Sequence, residues 1–432
     1  MIPEGWTQRE LAELCSLISR GKAPKYTPSL TVTGIYAINQ KCVRNGVVDP
    51  RFGRPHHPDK AVPEEFCLKR DDICINSTGT GTIGRVGWWE GLNDGRYFPD
   101  THITLLRVRR EDVQPRFLAY LLQQDKTQKA ISTECFSGST NQVELNKGAL
   151  SRLALTLPPL PEQRKIAAIL SSVDDAIEKT QAVIEQVQVV KKGLMQELLT
   201  RGLPGRHTKF KQTEIGEVPE EWEVLRLQAL GKGDGRPVLR TGPFGSSLKT
   251  EHFTDRGTPV LNIQCLGEGE ILEDGLFYVD DQKAQELTEY RVAEGDLVFS
   301  RVADVGRSVV IPREAEGWII SSNLMRISPN PNVVDPHFLM YSIVGSGAVV
   351  RQIEGVTAKG GRAVVSSLIL NGLVFPIPAL EEQRVIASSL QAVEQRVRTE
   401  RFHTQRLAGV KSALMSVLLT GEVRVTPDSE AA

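Results

Sequence analysis

Residues 158–202 return at 378–422, displaced by 220 positions without a gap. Leu160, Glu162, Gln163, Arg164, Ile166, Ala167 and Leu170 recur as Leu380, Glu382, Gln383, Arg384, Ile386, Ala387 and Leu390. At the far end, Leu194-Met195 and Leu198-Leu199-Thr200 recur as Leu414-Met415 and Leu418-Leu419-Thr420. A repeat of this length makes the chain two copies of one unit, which suits a pseudo-twofold object acting on a target with two halves.

The repeat reads as a long helix. Pro158-Pro159-Leu160-Pro161 stops what precedes it, and Glu162-Gln163-Arg164 opens a helix with acid in its first turn, where the macrodipole favours it. Steps alternating between four and three from Ile166 pass through Leu170, Val173, Ile177, Thr180, Ile184, Val187, Lys191, Leu194 and Leu198, and eight of these ten positions are apolar. That is a coiled-coil seam. The second copy runs Ile386, Leu390, Val393, Val397, Glu400, Thr404, Leu407, Lys411, Leu414, Leu418, with its lysine at the phase of Lys191. The helix is expected to end near Thr200, before Gly202 and Pro204. Two seams of equal length pair most simply with each other. Either direction is open to them, and a pseudo-twofold arrangement needs the antiparallel one. About 38 residues make a rod of roughly 57 Å, longer than the ~34 Å turn of a duplex.

The segments outside the helices are weaker copies. Ile2-Pro3-Glu4-Gly5-Trp6 matches Val218-Pro219-Glu220-Glu221-Trp222, and Asp72-Ile73-Cys74-Ile75 matches Asp296-Leu297-Val298-Phe299. Ile83-Gly84-Arg85-Val86 matches Val305-Gly306-Arg307-Ser308, and Pro115–Tyr120 matches Pro336–Tyr341, each starting a helix after its proline. Short apolar runs punctuated by Gly, Pro and Asn read as a mixed sheet with a few helices. The polar loops diverge: Ser77–Thr82 stands against Ser300–Asp304, and Ser137–Gln142 against Val356–Arg362. A shared frame with different loops suggests two modules of one job with different targets; drift in exposed loops leaves a similar pattern.

These landmarks divide the 432 residues into globular domains at 1–157 and 204–375, long helices at 158–203 and 376–423, and a disordered tail at 424–432. The fold class expected is mixed α/β (α+β), two pseudo-twofold-related globular domains separated by two long antiparallel coiled-coil helices. No stretch approaches the ~18 apolar residues that span a bilayer, and no signal peptide is visible, so a cytoplasmic location is expected. The six cysteines (15, 42, 67, 74, 135, 265) form no C-x-x-C pair and read as free buried thiols. The formal net charge of −1 decides nothing about nucleic acid, but residues 20–60 hold eight basic and two acidic side chains, and 226–256 hold six and three.

With Pro158–Ala167, its echo at Ala379–Ala387, the loop Gly242-Pro243-Phe244-Gly245-Ser246-Ser247-Leu248-Lys249 and the strand Gly295–Arg301, the chain resembles the specificity subunits of type I DNA restriction-modification systems. The likeness covers nearly all of the chain up to about Val425. Two departures stand out: Glu381 replaces Pro161 at the second helix start, and the first half lacks a Gly-Pro-Phe-Gly loop, having Arg20-Gly21-Lys22-Ala23-Pro24 near that place. The resemblance implies a non-catalytic protein that reads DNA, each globular half being a target recognition domain for one part of a split, asymmetric site. It implies two adenine-N6 methyltransferase subunits and two motor-nuclease subunits as partners. Cofactors are expected in those partners, S-adenosylmethionine and ATP with magnesium, and none in this chain. Glu162, Gln163, Arg164, Glu382, Gln383 and Arg384 are the candidate partner contacts.

Base reading needs Arg or Lys against guanine and Asn or Gln against adenine, and phosphates need Lys, Arg, Ser, Thr and loop N–H groups. The candidates are Arg20, Lys22, Lys25, Gln40, Lys41, Thr78, Thr80, Arg85, Asn141 and Gln142 in the first half. In the second they are Arg240, Ser246, Ser247, Lys249, Gln264, Arg301, Arg307, Lys359 and Arg362. Enzyme readings find little support. Gly79–Gly84 fits G-x-G-x-x-G, but Arg85-Val86-Gly87-Trp88-Trp89 is a poor helix start. No P-loop, Asn/Asp-Pro-Pro-Tyr/Phe methyltransferase loop or Glu-x-Lys nuclease triplet occurs, and Asp100 with His102 lacks a third metal ligand nearby. The alternative from another class is a coiled-coil scaffold that joins proteins without DNA.

Overall fold

A short antiparallel ribbon precedes each long helix. Thr7–Glu10 pairs with Ala154–Leu157, and Glu223–Arg226 pairs with Val374–Ile377. Proline closes the second strand of each ribbon, and the helices follow at Leu160–Leu198 and Leu380–Leu418, 39 residues apiece. The computed structural model describes residues 2–27, 34–91, 95–138, 143–232, 236–267, 269–301, 307–357 and 367–427. Within the expected tail, 428–432 lie outside the described residues.

By packing, the chain divides into two compact units, Met1–Gln181 with Phe402–Ala432, and Ala182–Arg401. Each takes part of both long helices. In the first unit Ile166, Ala167 and Leu170 share a core with Leu418 and Leu419, while Asp174 meets Lys411 at 2.7 Å. Moving forward along one helix therefore moves backward along the other, which is antiparallel pairing. In the second unit Met195, Leu198 and Leu199 share a core with Ile386, Ala387 and Leu390, and Lys191 meets Glu394 at 2.7 Å. None of the ten seam positions on either helix is exposed.

Both units build the same frame. In the first, strands run in the order Cys15–Arg20, Ile103–Val108, Ile73–Asn76, Val86–Trp88, Val47–Val48, Val43–Arg44. In the second the order is Leu239–Thr241, Leu324–Ile327, Leu297–Ser300, Ser308–Val310. A second sheet accompanies each, of three strands in the first unit and four in the second. Ile35–Ile38 lies parallel to Arg96–Pro99, and Thr258–Leu261 lies parallel to Ile319–Ile320. The mixed α/β pattern read from the sequence is present, divided in each unit into two sheets and two two-stranded ribbons, because runs of two to six residues are too short to specify their partners in advance. Proline starts the helices Pro115–Gln123 and Pro336–Gly345, as its fixed φ and missing N–H favour.

The repeated glutamine joins helix to head. Gln163 Oε1 accepts the backbone N–H of Gln114, the cap of Pro115–Gln123, and Gln163 Nε2 donates to Pro158 O, both at 2.9 Å. Gln383 Oε1 accepts from Asp335, the cap of Pro336–Gly345, at 2.8 Å, and its amide donates to Pro378 O and Val333 O. The repeated glutamate is equally buried. Glu162 (3% exposed) accepts two parallel bonds from Arg424, each 2.8 Å. Glu382 (1% exposed) accepts from His207 at 2.9 Å and from the Leu203 N–H at 3.1 Å.

Candidate nucleic-acid interface

In each unit the same loops meet at one end of the sheets. Gly21 donates to Ile103 O at 2.9 Å, and Gly242 donates to Leu324 O at 3.0 Å. A Cβ at Gly21 would overlap the carbonyl oxygen of Pro99, and one at Gly242 that of Ser321, so only glycine lets these loops pass. Beside them lies an Asn-x-x-Cys turn. Asn39 Oδ1 accepts from Lys41 N at 2.9 Å and Asn262 Oδ1 from Gln264 N at 2.7 Å. The asparagine N–H approaches Cys42 Sγ at 3.4 Å in one and Cys265 Sγ at 3.5 Å in the other. The remaining strand-end bonds also correspond: Ser77 N to His102 O with Arg301 N to Asn323 O, and Asn76 N to Arg85 O with Ser300 N to Arg307 O.

On that frame the side chains differ. Lys22, Ala23, Gln40, Lys41 and Ser77 of the first unit stand where the second has Pro243, Phe244, Ile263, Gln264 and Arg301. Gly21-Lys22-Ala23-Pro24 is thus the structural counterpart of Gly242-Pro243-Phe244-Gly245 rather than a segment merely near it.

The first-unit candidates fall into two groups. Arg20 donates to Thr101 O and Leu145 O and meets Glu144 at 3.2 Å, so it ties loops together. Gln40 Nε2 donates to Thr78 O and Oγ1, both at 2.6 Å, and Thr78 Oγ1 lies 2.8 Å from His102 Nδ1. Lys22 holds its ammonium 3.9 Å above the Phe66 ring. Lys25, Lys41, Thr80 and Arg85 are exposed, with Arg85 also donating to Gly81 O. Asn141 and Gln142 lie outside the described residues.

In the second unit half-buried Arg240 is already paired: it meets Glu289 at 2.6 Å beside Tyr290. Arg301 stacks on Phe244, with 5.1 Å from the guanidinium carbon to the ring centre. Lys249 reaches Glu251 at 3.3 Å, Ser247 and Gln264 are exposed, and exposed Arg307 donates to Leu266 O at 3.4 Å. Ser246 lies in the short turn Gly245–Ser247. Lys359 and Arg362 lie outside the described residues. Of the candidate partner contacts, Arg164 and Arg384 are exposed, whereas the polar atoms of Glu162, Gln163, Glu382 and Gln383 are used within the chain.

Several basic side chains escaped the sequence reading. Arg44 lies over Phe52 at 4.1 Å and Arg54 over Tyr26 at 3.8 Å, in a segment whose basic excess was the visible signal. Arg236 and Arg326 converge on buried Asp296 at 2.9 and 3.7 Å, and burial beside Arg236 pulls Arg326 down to about 10. Asp72 makes the matching pair with Arg107 at 2.7 Å, its carboxyl held above the usual range by burial.

Among the described residues, the motifs weighed as catalytic take structural places. Gly79–Gly84 lies in the connection between two antiparallel strands rather than between a strand and a helix. Asp100 is occupied by the His102 N–H at 2.8 Å and, at 3.5 Å, the Tyr26 hydroxyl. The six cysteines are free and buried, and burial raises Cys15 to about 12 and Cys42 and Cys135 to about 11. Among the described residues no helix is long and apolar enough to cross a membrane.

Known proteins share this architecture. The chain is 29% identical over 430 residues to a putative type I restriction enzyme MjaX specificity subunit from Methanocaldococcus jannaschii, covering 98% of this chain and 95% of that one. It is 21% identical to the EcoKI specificity subunit of Escherichia coli K12, covering 96% and 88%. A crystal structure of the type I restriction-modification S subunit from M. genitalium superposes with a TM-score of 0.57 at 15% identity, covering 96% of both chains. The match does not favour a scaffold without a DNA role. The family model for the type I restriction modification DNA specificity domain matches twice, over residues 3–189 and 219–408, and the chain belongs to that family.

Proposed function

We propose that the chain reads a split, asymmetric duplex site, one part per unit, and carries two methyltransferase subunits, with two motor-nuclease subunits in the larger complex. The observation that carries this reading is the duplicated loop frame. Gly21 and Gly242, and Asn39 and Asn262, hold equivalent backbone, while the side chains on it differ from unit to unit. Conserved geometry with exchanged side chains is what two readers of different sequences need, since frame positions and side chains specify. Lys25, Lys41, Thr80 and Arg85 in one unit, and Ser247, Lys249 and Gln264 in the other, supply the exposed donors. Asn141, Gln142, Lys359 and Arg362 belong to the same proposal by sequence alone. Chemistry on the adenine and on the strands belongs to the partners, with S-adenosylmethionine and ATP-magnesium bound there. Arg164 and Arg384, exposed at the roots of the helices, are the contacts offered to them.

The test is duplex binding by the chain with its methyltransferase partner across a salt series. A reader loses affinity steeply as salt rises, because phosphate contacts release counterions. It also retains a preference for one sequence over random duplex at every salt concentration. A flat salt response with no preference contradicts the proposal.

A further inference from the structure

The side chains at two equivalent positions change together between the units. Where the first unit has Ala23 and buried Ser77, the second has Phe244 and Arg301, and these two stack on each other. Phe244 is 58% exposed, at the tip of a loop that only glycine can anchor. An exposed phenylalanine gains little from folding, and the Arg301 guanidinium lies over its ring. The depression next to it is lined by Lys249, Asn262, Phe277, Ser322 and Asn323. Phe277 is itself 44% exposed, with its ring centre 4.6 Å from that of Phe253. Aromatic faces, two cations and side-chain amides on one small surface are the chemistry of a nucleobase: stacking for the ring, charge for the phosphate, amides for the edge.

Resting on the reading above, we propose that Phe244, backed by Arg301, is a wedge that stacks against a base and opens one step of the half-site read by the second unit. The first unit has Ala23 at the equivalent position, too small to act as a wedge there. Stacking tolerates any base, so selectivity at this position comes from the cost of opening the step. That cost is lowest at pyrimidine–purine steps, and the second unit's half-site should contain one where the wedge enters.

The experiment uses the full chain with its methyltransferase partner and a duplex bearing the motif found by mapping modified adenines in the host. 2-Aminopurine replaces each base in turn, in both halves. The wedge predicts that emission rises on binding at a position other than the methylated adenine, in one half only. Phe244→Ala should abolish that rise and weaken specific binding about 10-fold or more, the scale of one lost base–aromatic stack. Phe244→Trp should keep both. A rise that persists in Phe244→Ala, or specific binding with no rise outside the methylated adenine, overturns the wedge while leaving DNA reading intact. Failure of the wild-type complex to prefer its motif overturns the reading and the wedge together. Because Phe244 is exposed, thermal unfolding of both variants should match wild type, separating lost contact from lost fold.

Discussion

Gln163 and Gln383 show how much one side chain can fix. Each amide satisfies a buried carbonyl before its own helix and the N–H of the residue that caps a helix of the globular part. Removing the amide leaves both groups buried without partners, a loss of about 1–3 kcal/mol. Gln383→Ala, whose side chain is fully enclosed, should lower the unfolding free energy by about that amount, read as a lower urea midpoint, and an unchanged midpoint would contradict the role. The cysteines give a second test at this scale. Burial raises Cys15, Cys42, Cys74 and Cys135, so they are protonated at neutral pH, and a thiol reagent should find no fast-reacting group until guanidinium exposes all six. A single rapid thiol in the native chain would contradict the burial described. The free cysteines were legible in the sequence from their spacing. The glutamine locks were not, because their partners lie 49 and 48 residues away.

At the level of elements, the seam lysines explain the antiparallel pairing. Lys191 and Lys411 interrupt two apolar seams at the same phase, and each finds an acid on the opposite helix: Glu394 and Asp174. A tyrosine of the head completes each set, Tyr341 to Glu394 at 2.7 Å and Tyr120 to Asp174 at 2.6 Å. Burial and the adjoining carboxylate push Tyr120 up to about 12, so it donates as a neutral phenol. A polar group in a seam fixes register at some expense of stability. Glu394→Ala should cost about 2 kcal/mol, less than a fully buried pair, and the Lys191→Glu, Glu394→Lys exchange should recover most of it in a double-mutant cycle. Additive losses would show that the pair is incidental. The seams themselves were legible, down to the lysine phase. The loop frame was less so: Gly21 and Gly242 are embedded in dissimilar residues, and only the carbonyls they pass reveal their equivalence. Among the candidate contacts, residue type alone could not separate Arg240, spent on Glu289, from exposed Lys41.

For the whole molecule, the proposed function has one chain read two unlike sequences through a duplicated frame whose loops differ. Each unit has its own sheets and core, so altering the loops of one should leave the other's folding and preference intact. The most direct measurement is a map of modified adenines in the host genome, with the chain present, deleted, or carrying Lys249→Ala and Gln264→Ala together. The account predicts a split motif that disappears on deletion and whose specificity relaxes in one half only in the double variant. A motif that survives deletion, or that relaxes equally in both halves, would contradict it.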